Sequence, residues 1–390
     1  MTSRLSQICC YPVKSAKGHS LDQGYISAEG LHFDRRFMVA KANGDMVTAR
    51  THPQLVLINV AFDGYLLKLG YPNHGDIKYT LQSKPMTPHP ATVWGDNFSA
   101  YHVSESIDQW LSVIANEPVK LLYCGEQSNR HGAEINQSLS MADGYPLLLI
   151  SQGSLDELNR RSPDTHSMDQ FRPNLVVDCS EPFIEDSWDI IEIGSVRFKV
   201  AKPCSRCNFT TVNPNTGRYH PQQQPLITLS EFRADERGEV MFGQNLIALN
   251  EGEIKRGDAL KVISHKTAPV YHDDATSTNR TPSQQITAQK KQAQRTELDI
   301  TINGQRFRGN NHSSILEQAI AAGIKVPFKC RAGKCGTCAM TLISGEVDSS
   351  AMATATTTDD QILSCSCTAL SNVELALEPP VMNKNNRKTS

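Results

Sequence analysis

Hydrophobic and polar positions alternate over short stretches through most of the chain. Val196, Phe198 and Val200 alternate with Arg197 and Lys199, the two-residue period of a half-buried strand. Pro203 is expected to end that strand, leaving Cys204 and Cys207 on a loop at its C-terminal end. Ile8–Val13 reads as a strand closed by proline, followed by the polar loop Lys14–Gly18 with its two cations. Arg36–Ala40 and Met46–Ala49 flank Asn43-Gly44-Asp45, a hairpin signal. The period changes after Ser104: Ile107, Trp110, Leu111 and Ile114 fall on one face of a helix with Ser104 as its N-cap. Val119–Tyr123 returns to strand. Pro146–Ile150 reads as a buried strand, and Ser154–Glu157 as a capping box for a helix that must end before Pro163. Pro173 biases Arg172 towards an extended conformation before the strand Leu175–Val177.

Residues 264–296 lose this patterning. They are rich in Thr, Ser, Gln, Lys and Pro and read as a flexible linker, which at this length spans roughly 30 Å r.m.s.. Beyond it, Leu298, Ile300 and Ile302 alternate up to the turn Asn303-Gly304, and Arg306–Arg308 returns as a hairpin. Ser314–Glu317 forms a capping box for a helix ending at Gly323.

At 390 residues the prior is two or three domains, and a hydrophobic fraction of 39% supplies ordinary cores. The net charge of -2 gives no whole-chain drive towards nucleic acid or an anionic membrane. No apolar run is long enough to span a bilayer, and the N-terminus lacks the apolar region of a secretory signal. Eleven cysteines in such a chain argue for a reduced, cytoplasmic setting with metal or redox use rather than a disulfide framework.

Cys330, Cys335 and Cys338 are spaced C-x4-C-x2-C, and Cys365 follows in Leu363-Ser364-Cys365. This is the plant-type [2Fe–2S] spacing, in which three thiolates on one loop wrap two irons and a distant fourth closes the site. Gly333 and Gly336 suit a tight loop whose N–H groups turn towards the sulfides. Zinc sites more often pair two C-x2-C units. Cys365 is the expected fourth ligand, with Cys367 as the alternative. The segment from about 297 to 383 resembles plant-type ferredoxins of the β-grasp fold, which carry one electron at a time.

The pair Cys204-Ser205-Arg206-Cys207 admits three readings: a thioredoxin-like dithiol, a zinc site, or a single thiolate on a softer redox metal. Pro203 before the pair and the turn Asn213–Gly217 after it argue against the first. The second needs further ligands from Cys9, Cys10 or a histidine. The third needs one cysteine and a cofactor that brings the remaining sulfurs.

The Cys-Ser-Arg-Cys stretch and the following Thr-Thr-Val-Asn-Pro-Asn-Thr-Gly resemble the MOSC domain, shared by molybdenum cofactor sulfurase C-terminal domains and the mitochondrial amidoxime-reducing component. Tyr-Pro-Val-Lys-Ser (11–15), Asp-Arg-Arg-Phe (34–37), Phe-Arg-Pro-Asn (171–174), Glu-Asp-Ser-Trp (185–188) and Phe-Gly-Gln-Asn (242–245) fit the same family. The full order is similar to bacterial YcbX-type proteins. The resemblance implies a mixed, β-rich fold. Its parts are a MOSC N-terminal β-barrel domain (1–100), a MOSC β-barrel domain (101–263), the linker (264–296) and an α+β ferredoxin-type domain (297–390).

It further implies that Cys207 ligates molybdenum and is the catalytic residue, and that Lys14, Ser15, Arg35, Arg172, Asn174, Ser205 and Arg206 contact the molybdopterin and its phosphate. Arg36 competes with Arg35 for that place. Cys330, Cys335, Cys338 and Cys365 would hold the [2Fe–2S] cluster. The implied activity is reduction of N-hydroxylated compounds (hydroxylamines, amidoximes, N-hydroxylated bases). The implied electron donor is a separate NAD(P)H-dependent flavin reductase, because the chain has no Gly-x-Gly-x-x-Gly fingerprint after a strand. Protons must also arrive, and Asp143 and His131, in the segment ahead of the buried strand, are candidates to deliver them. The alternatives are a sulfur carrier that works through a Cys207 persulfide and a protein that stores the cofactor; a tethered one-electron carrier argues for the enzyme.

Overall fold

The computed structural model describes residues 3–273, apart from 82–85, 133–134, 136, 237 and 272, and residues 297–377, apart from 312–313, 329–335, 350–356 and 359. The chain divides into two compact units, Met1–Asp273 and Asp274–Ser390.

An eight-stranded sheet is the frame of the first unit. Its strands run in the order Leu260–His265, Trp188–Ile193, Val196–Ser205, Met241–Ala248, Leu147–Ser151, Leu175–Val177, Leu5–Cys10 and His19–Leu21. Leu147–Ser151 and Leu175–Val177 pair in parallel, and their runs, apolar but for Ser151, are buried on both faces, as parallel strands usually are. Val196, Phe198 and Val200 point into the core beside Trp188, Ile191 and Ile193, as the alternation predicts.

A second core fills the N-terminal part. It lies between the sheet Phe37–Ala40, Lys120–Tyr123, Asp96–His102, Thr87–Val93 and the meander Asn59–Phe62, Leu66–Tyr71, Gly75–Thr80. The helix Glu105–Ala115 closes it, capped by the Ser104 side chain. Ile107, Leu111 and Ile114 lie on its buried face. Each such side chain contributes about 1.5–3 kcal/mol by leaving water.

Several expected boundaries shift. A domain boundary at residue 100 would fall inside the strand Asp96–His102, and the helix and strand that follow pack into the N-terminal core. Pro203 does not end its strand: Val196–Ser205 continues past it along Met241–Ala248, with register shifts on both sides of Pro203. The irregularity accommodates a residue that cannot donate to the ladder. Cys204 therefore lies on a strand, and only Cys207 lies beyond it. Ser151, not Ser154, caps the helix Gln152–Arg161; the Ser154 hydroxyl donates to buried Glu185 instead.

The tether also begins later than residue 264. Leu260–His265 remains in the sheet, Lys266 Nζ donates to the Val200 carbonyl at 2.7 Å, and Asp273 receives a two-pronged contact from Arg161 at 2.9 and 3.1 Å.

In the second unit a five-stranded sheet runs in the order Gln305–Asn310, Glu297–Ile302, Val373–Ala376, Ala339–Ser344, Gln361–Leu363. The hairpin turns at Asn303-Gly304, and the helix Ile315–Ala321 packs on the same core. This is the β-grasp arrangement expected of the C-terminal segment.

Candidate active site

A cleft of about 150 Å³ opens in the first unit. It is lined by all of the residues expected to contact the cofactor: Lys14, Ser15, Arg35, Arg172, Asn174, Ser205, Arg206 and Cys207. The eight are scattered over almost two hundred positions of sequence. Lys14, Ser15 and Arg35 come from the N-terminal segment, Arg172 and Asn174 from the turn ahead of a buried strand, and Ser205 to Cys207 from the end of Val196–Ser205 and just past it.

Three of these residues carry unusual backbone. Ser15, Arg35 and Arg172 have φ of 69°, 48° and 57°. Side-chain-bearing residues avoid this region, so the surrounding structure must enforce it. For Arg172 this corrects the extended conformation expected before Pro173. A 3-10 turn, Met168–Gln170, closes just ahead of it, and the chain must reverse there to enter Leu175–Val177.

The guanidinium of Arg172 lies over the Tyr11 ring at 4.3 Å and near the Phe209 ring at 5.5 Å, and its Nη1 donates to the Ala16 carbonyl at 2.6 Å. Arg35 stacks on the same ring at 4.3 Å and pairs with buried Asp34 at 2.5 Å. Gly18 lets the Lys14–Gly18 loop pass this ring: a Cβ there would lie 2.3 Å from a Tyr11 ring carbon. Arg36 turns away from the cleft, to Glu29 and the Gly125 carbonyl.

Arg206 donates from Nε to the Phe242 carbonyl at 2.8 Å and from Nη1 to the Phe171 carbonyl at 3.1 Å. The Nη2 atoms of Arg172 and Arg206 are both buried and without a hydrogen-bond partner. Burial, and then the charge of Arg35, pulls the Arg172 guanidinium down to about 10. Buried donors left unpaired are costly, and two of them in a cation-lined cleft suit a bound anion such as a phosphate. Asn174 is otherwise engaged: its side chain accepts from Leu148 N at 3.2 Å and donates to the Cys9 carbonyl at 3.2 Å. Ser205 is exposed at the rim.

Two further lining residues were not singled out as site residues by the motifs. Arg50 donates from Nε to Cys207 Sγ at 3.1 Å. Asp143 accepts from Lys14 Nζ and from Trp94 Nε1 at 2.9 Å, with Arg50 Nη2 at 3.5 Å. Partial desolvation by the cleft walls opposes the charge of Asp143, whose side chain is 57% exposed; Lys14 and Arg50 overcome it and hold the carboxyl below the usual carboxylate range. Lys14 moves the other way: burial outweighs Asp143 and lowers it to about 8.

The hairpin expected after Asn43-Gly44 explains why Arg50 was missed. The hairpin forms but is short: Lys41 N bonds the Asp45 carbonyl and Val47 N the Val39 carbonyl, each at 2.8 Å, around the one bridge Ala40 to Met46. The segment then turns at Thr48–Thr51, with Ala49 N bonded to Ser15 Oγ at 3.0 Å, and delivers Arg50 to the cleft. His131 does not line the cleft. Cys9, Cys10, Cys124 and Cys179 are buried thiols whose pKa burial pushes up, for Cys124 to about 12.

In the second unit, Cys338 and Cys365 are buried with their sulfurs 3.1 Å apart. Cys367 sits on a strand paired with Val347–Ser349. Cys330 and Cys335 lie outside the described residues.

Family models account for both units. Residues 2–118 match the MOSC N-terminal beta barrel domain, 136–261 the MOSC domain, and 300–370 the 2Fe-2S iron-sulfur cluster binding domain. The protein is thus a MOSC-domain oxidoreductase whose cofactors are the molybdenum cofactor and a [2Fe–2S] cluster.

It belongs to the family of the amidoxime-reducing components, molybdenum enzymes of N-reduction. Mitochondrial amidoxime-reducing component 1 of Homo sapiens is 32% identical over 66% of this chain and 82% of its own length. Mitochondrial amidoxime reducing component 2 of Bos taurus is 32% identical over 65% and 81%. Among solved structures, a ferredoxin reductase of carbazole 1,9a-dioxygenase aligns with 22% of this chain and 29% of its own, at 28% identity and a TM-score of 0.21. Among the described residues no helix is long and apolar enough to cross a membrane.

Proposed function

We propose that the chain reduces N-hydroxylated compounds (hydroxylamines, amidoximes and N-hydroxylated bases) to the corresponding amines, amidines and bases. The overall change is R–NHOH + 2e⁻ + 2H⁺ → R–NH₂ + H₂O. One observation carries this reading: Cys207, with Cys204 three residues before it, lies in a cleft lined by Lys14, Arg35, Arg50, Arg172 and Arg206 with one carboxylate, Asp143, and two of those guanidinium groups keep an unpaired buried nitrogen. That donor set suits an anionic, sulfur-bearing cofactor that needs one protein thiolate.

Cys207 ligates the molybdenum. Arg172 and Arg206, with Lys14 and Arg35, neutralise the phosphate of the pterin; Ser15 and Ser205 add polar contacts, while Asn174 braces the cleft wall through Leu148 and Cys9. The bound molybdenum supplies the two-electron removal of oxygen from the substrate. The protein's part is to orient the cofactor, hold its charge and keep Asp143 ionised within reach of Lys14. Cys330, Cys335, Cys338 and Cys365 would hold the [2Fe–2S] cluster, which would supply electrons one at a time from a separate NAD(P)H-dependent flavin reductase. The polar tether after Asp273 lets one cluster serve both partners, at an effective concentration of roughly millimolar. The setting is cytoplasmic.

The test is metal content together with turnover. Wild type should contain about one molybdenum and about two irons per chain and reduce benzamidoxime when supplied with NADH and a flavin reductase. Cys207→Ala should lose molybdenum and turnover but keep its iron. Two irons without molybdenum, after expression with ample cofactor, would instead favour the sulfur-carrier reading.

A further inference from the structure

We infer that Arg50 is the positioning residue for the metal-ligating sulfur: its Nε–H orients Cys207 Sγ and withdraws charge from it. The inference rests on the reading that Cys207 ligates molybdenum. Its basis is a direct contact, 3.1 Å from Arg50 Nε to Cys207 Sγ.

The two residues come from different domains, Arg50 from the segment matched as the N-terminal barrel and Cys207 from the MOSC domain. The guanidinium is fixed on three sides. Its plane lies over the Trp94 ring at 4.2 Å, and Trp94 is anchored through its own N–H to Asp143. Nη2 faces Asp143 at 3.5 Å. The main chain is braced from the MOSC side, where the Tyr219 hydroxyl donates to the carbonyls of Ala49 and Arg50 at 3.2 and 2.9 Å.

Tyr219 reaches this position because Asn213–Gly217 turns the chain back and Val212 bridges to Tyr219. The turn that follows the cysteine motif therefore positions Arg50. Only 19% of the Arg50 side chain is exposed.

A donor held on a ligating sulfur does two things. It fixes the sulfur's direction, and it weakens the sulfur's donation to the metal, which makes the metal easier to reduce. Lysine cannot reproduce this, because a compact ammonium has neither the planar fork nor the face that packs on Trp94.

The experiment uses the full-length chain with Arg50→Met and Arg50→Lys. It reads molybdenum and iron per chain, the melting temperature, the Mo(V) electron paramagnetic resonance spectrum and the molybdenum midpoint potential. The [2Fe–2S] signal is the internal reference. Arg50→Met should keep its iron, show an altered Mo(V) spectrum and a lowered molybdenum potential, and lose ~10- to 100-fold in kcat with a smaller change in KM. Arg50→Lys should restore the charge but not the spectrum.

A wild-type spectrum and potential in metal-loaded Arg50→Met overturns the inference. If Arg50→Met loses the metal, Arg50→Lys decides: regained metal with a wild-type spectrum overturns it, because charge alone then suffices. Regained metal with an altered spectrum supports it, as does loss from both variants at an unchanged melting temperature. Early melting of both variants makes Arg50 a structural residue and also overturns it. A wild-type chain with iron but no molybdenum removes the underlying reading instead, which is a distinct result.

Discussion

Arg35 and Arg172 are packed against the same ring, each guanidinium 4.3 Å from the centre of Tyr11, and Arg35 Nη2 donates to the Arg172 carbonyl at 3.2 Å. Two like charges buried this close repel each other, and a bound anion relieves both. Inorganic phosphate or pyrophosphate should therefore raise the melting temperature of cofactor-free chain, the stabilisation being about 2.7 kcal/mol at a hundred times its Kd. Arg172→Met should raise the melting temperature without phosphate and reduce the gain that phosphate brings. Thermal-shift titration checks both. A phosphate response equal to that of wild type would dissociate Arg172 from the anion.

Lys14 sets a pH dependence in the alkaline range. Its pKa falls from an ordinary 10.5 to about 8 on folding, chiefly by burial. Between those values the unfolded chain binds more protons than the folded one, so unfolding free energy rises with pH. Below about 8 the lysine is charged in both states and its burial cost is fully present. Cofactor-free chain should thus gain stability from pH 8 to 10 relative to Lys14→Met, measured by urea unfolding at each pH. Parallel curves for the two proteins would contradict the assignment.

Cys365 and Cys367 differ in geometry, although both are buried. Cys365 faces Cys338 at 3.1 Å, whereas Cys367 sits in a paired strand. Cys365→Ser should abolish the visible absorption of the cluster and drop the iron content, while Cys367→Ser should retain both. The reverse pattern would make Cys367 the fourth ligand.

Arg233 and Asp186 form a buried two-pronged pair at 2.7 and 3.1 Å, with 5% and 6% of their side chains exposed. Gln244 adds a hydrogen bond to the same carboxylate at 2.6 Å. Arg233→Met leaves that carboxylate buried without its cation and should cost about 3–5 kcal/mol of stability. Chemical denaturation measures it; a loss below 1 kcal/mol would mean that the carboxylate finds water or protonates cheaply.

Much of this protein was legible before its structure. The period of two at Val196–Val200, the helical stripe Ile107–Ile114 with Ser104, and the Asn303-Gly304 hairpin depend on contacts within a few residues, and all three are present. The cysteine spacing from 330 to 365 pointed to the cluster in the same local way, whereas the short motifs around Lys14, Arg35, Arg172 and Cys207 pointed to the molybdenum cofactor only through their resemblance to a family.

Tertiary structure decided what local signals do not encode. Pro203 stays within a strand because a register shift against Met241–Ala248 absorbs its missing donor. Arg172 takes a left-handed backbone because the chain must reverse into a buried strand while its side chain stacks on Tyr11. Arg50 reaches Cys207, 157 residues away, because Ser15 and Tyr219 hold the segment around it from opposite ends of the sequence. Residue type and spacing determine what chemistry is available. Which groups meet is set by packing between distant segments, whose energy no short window of sequence contains.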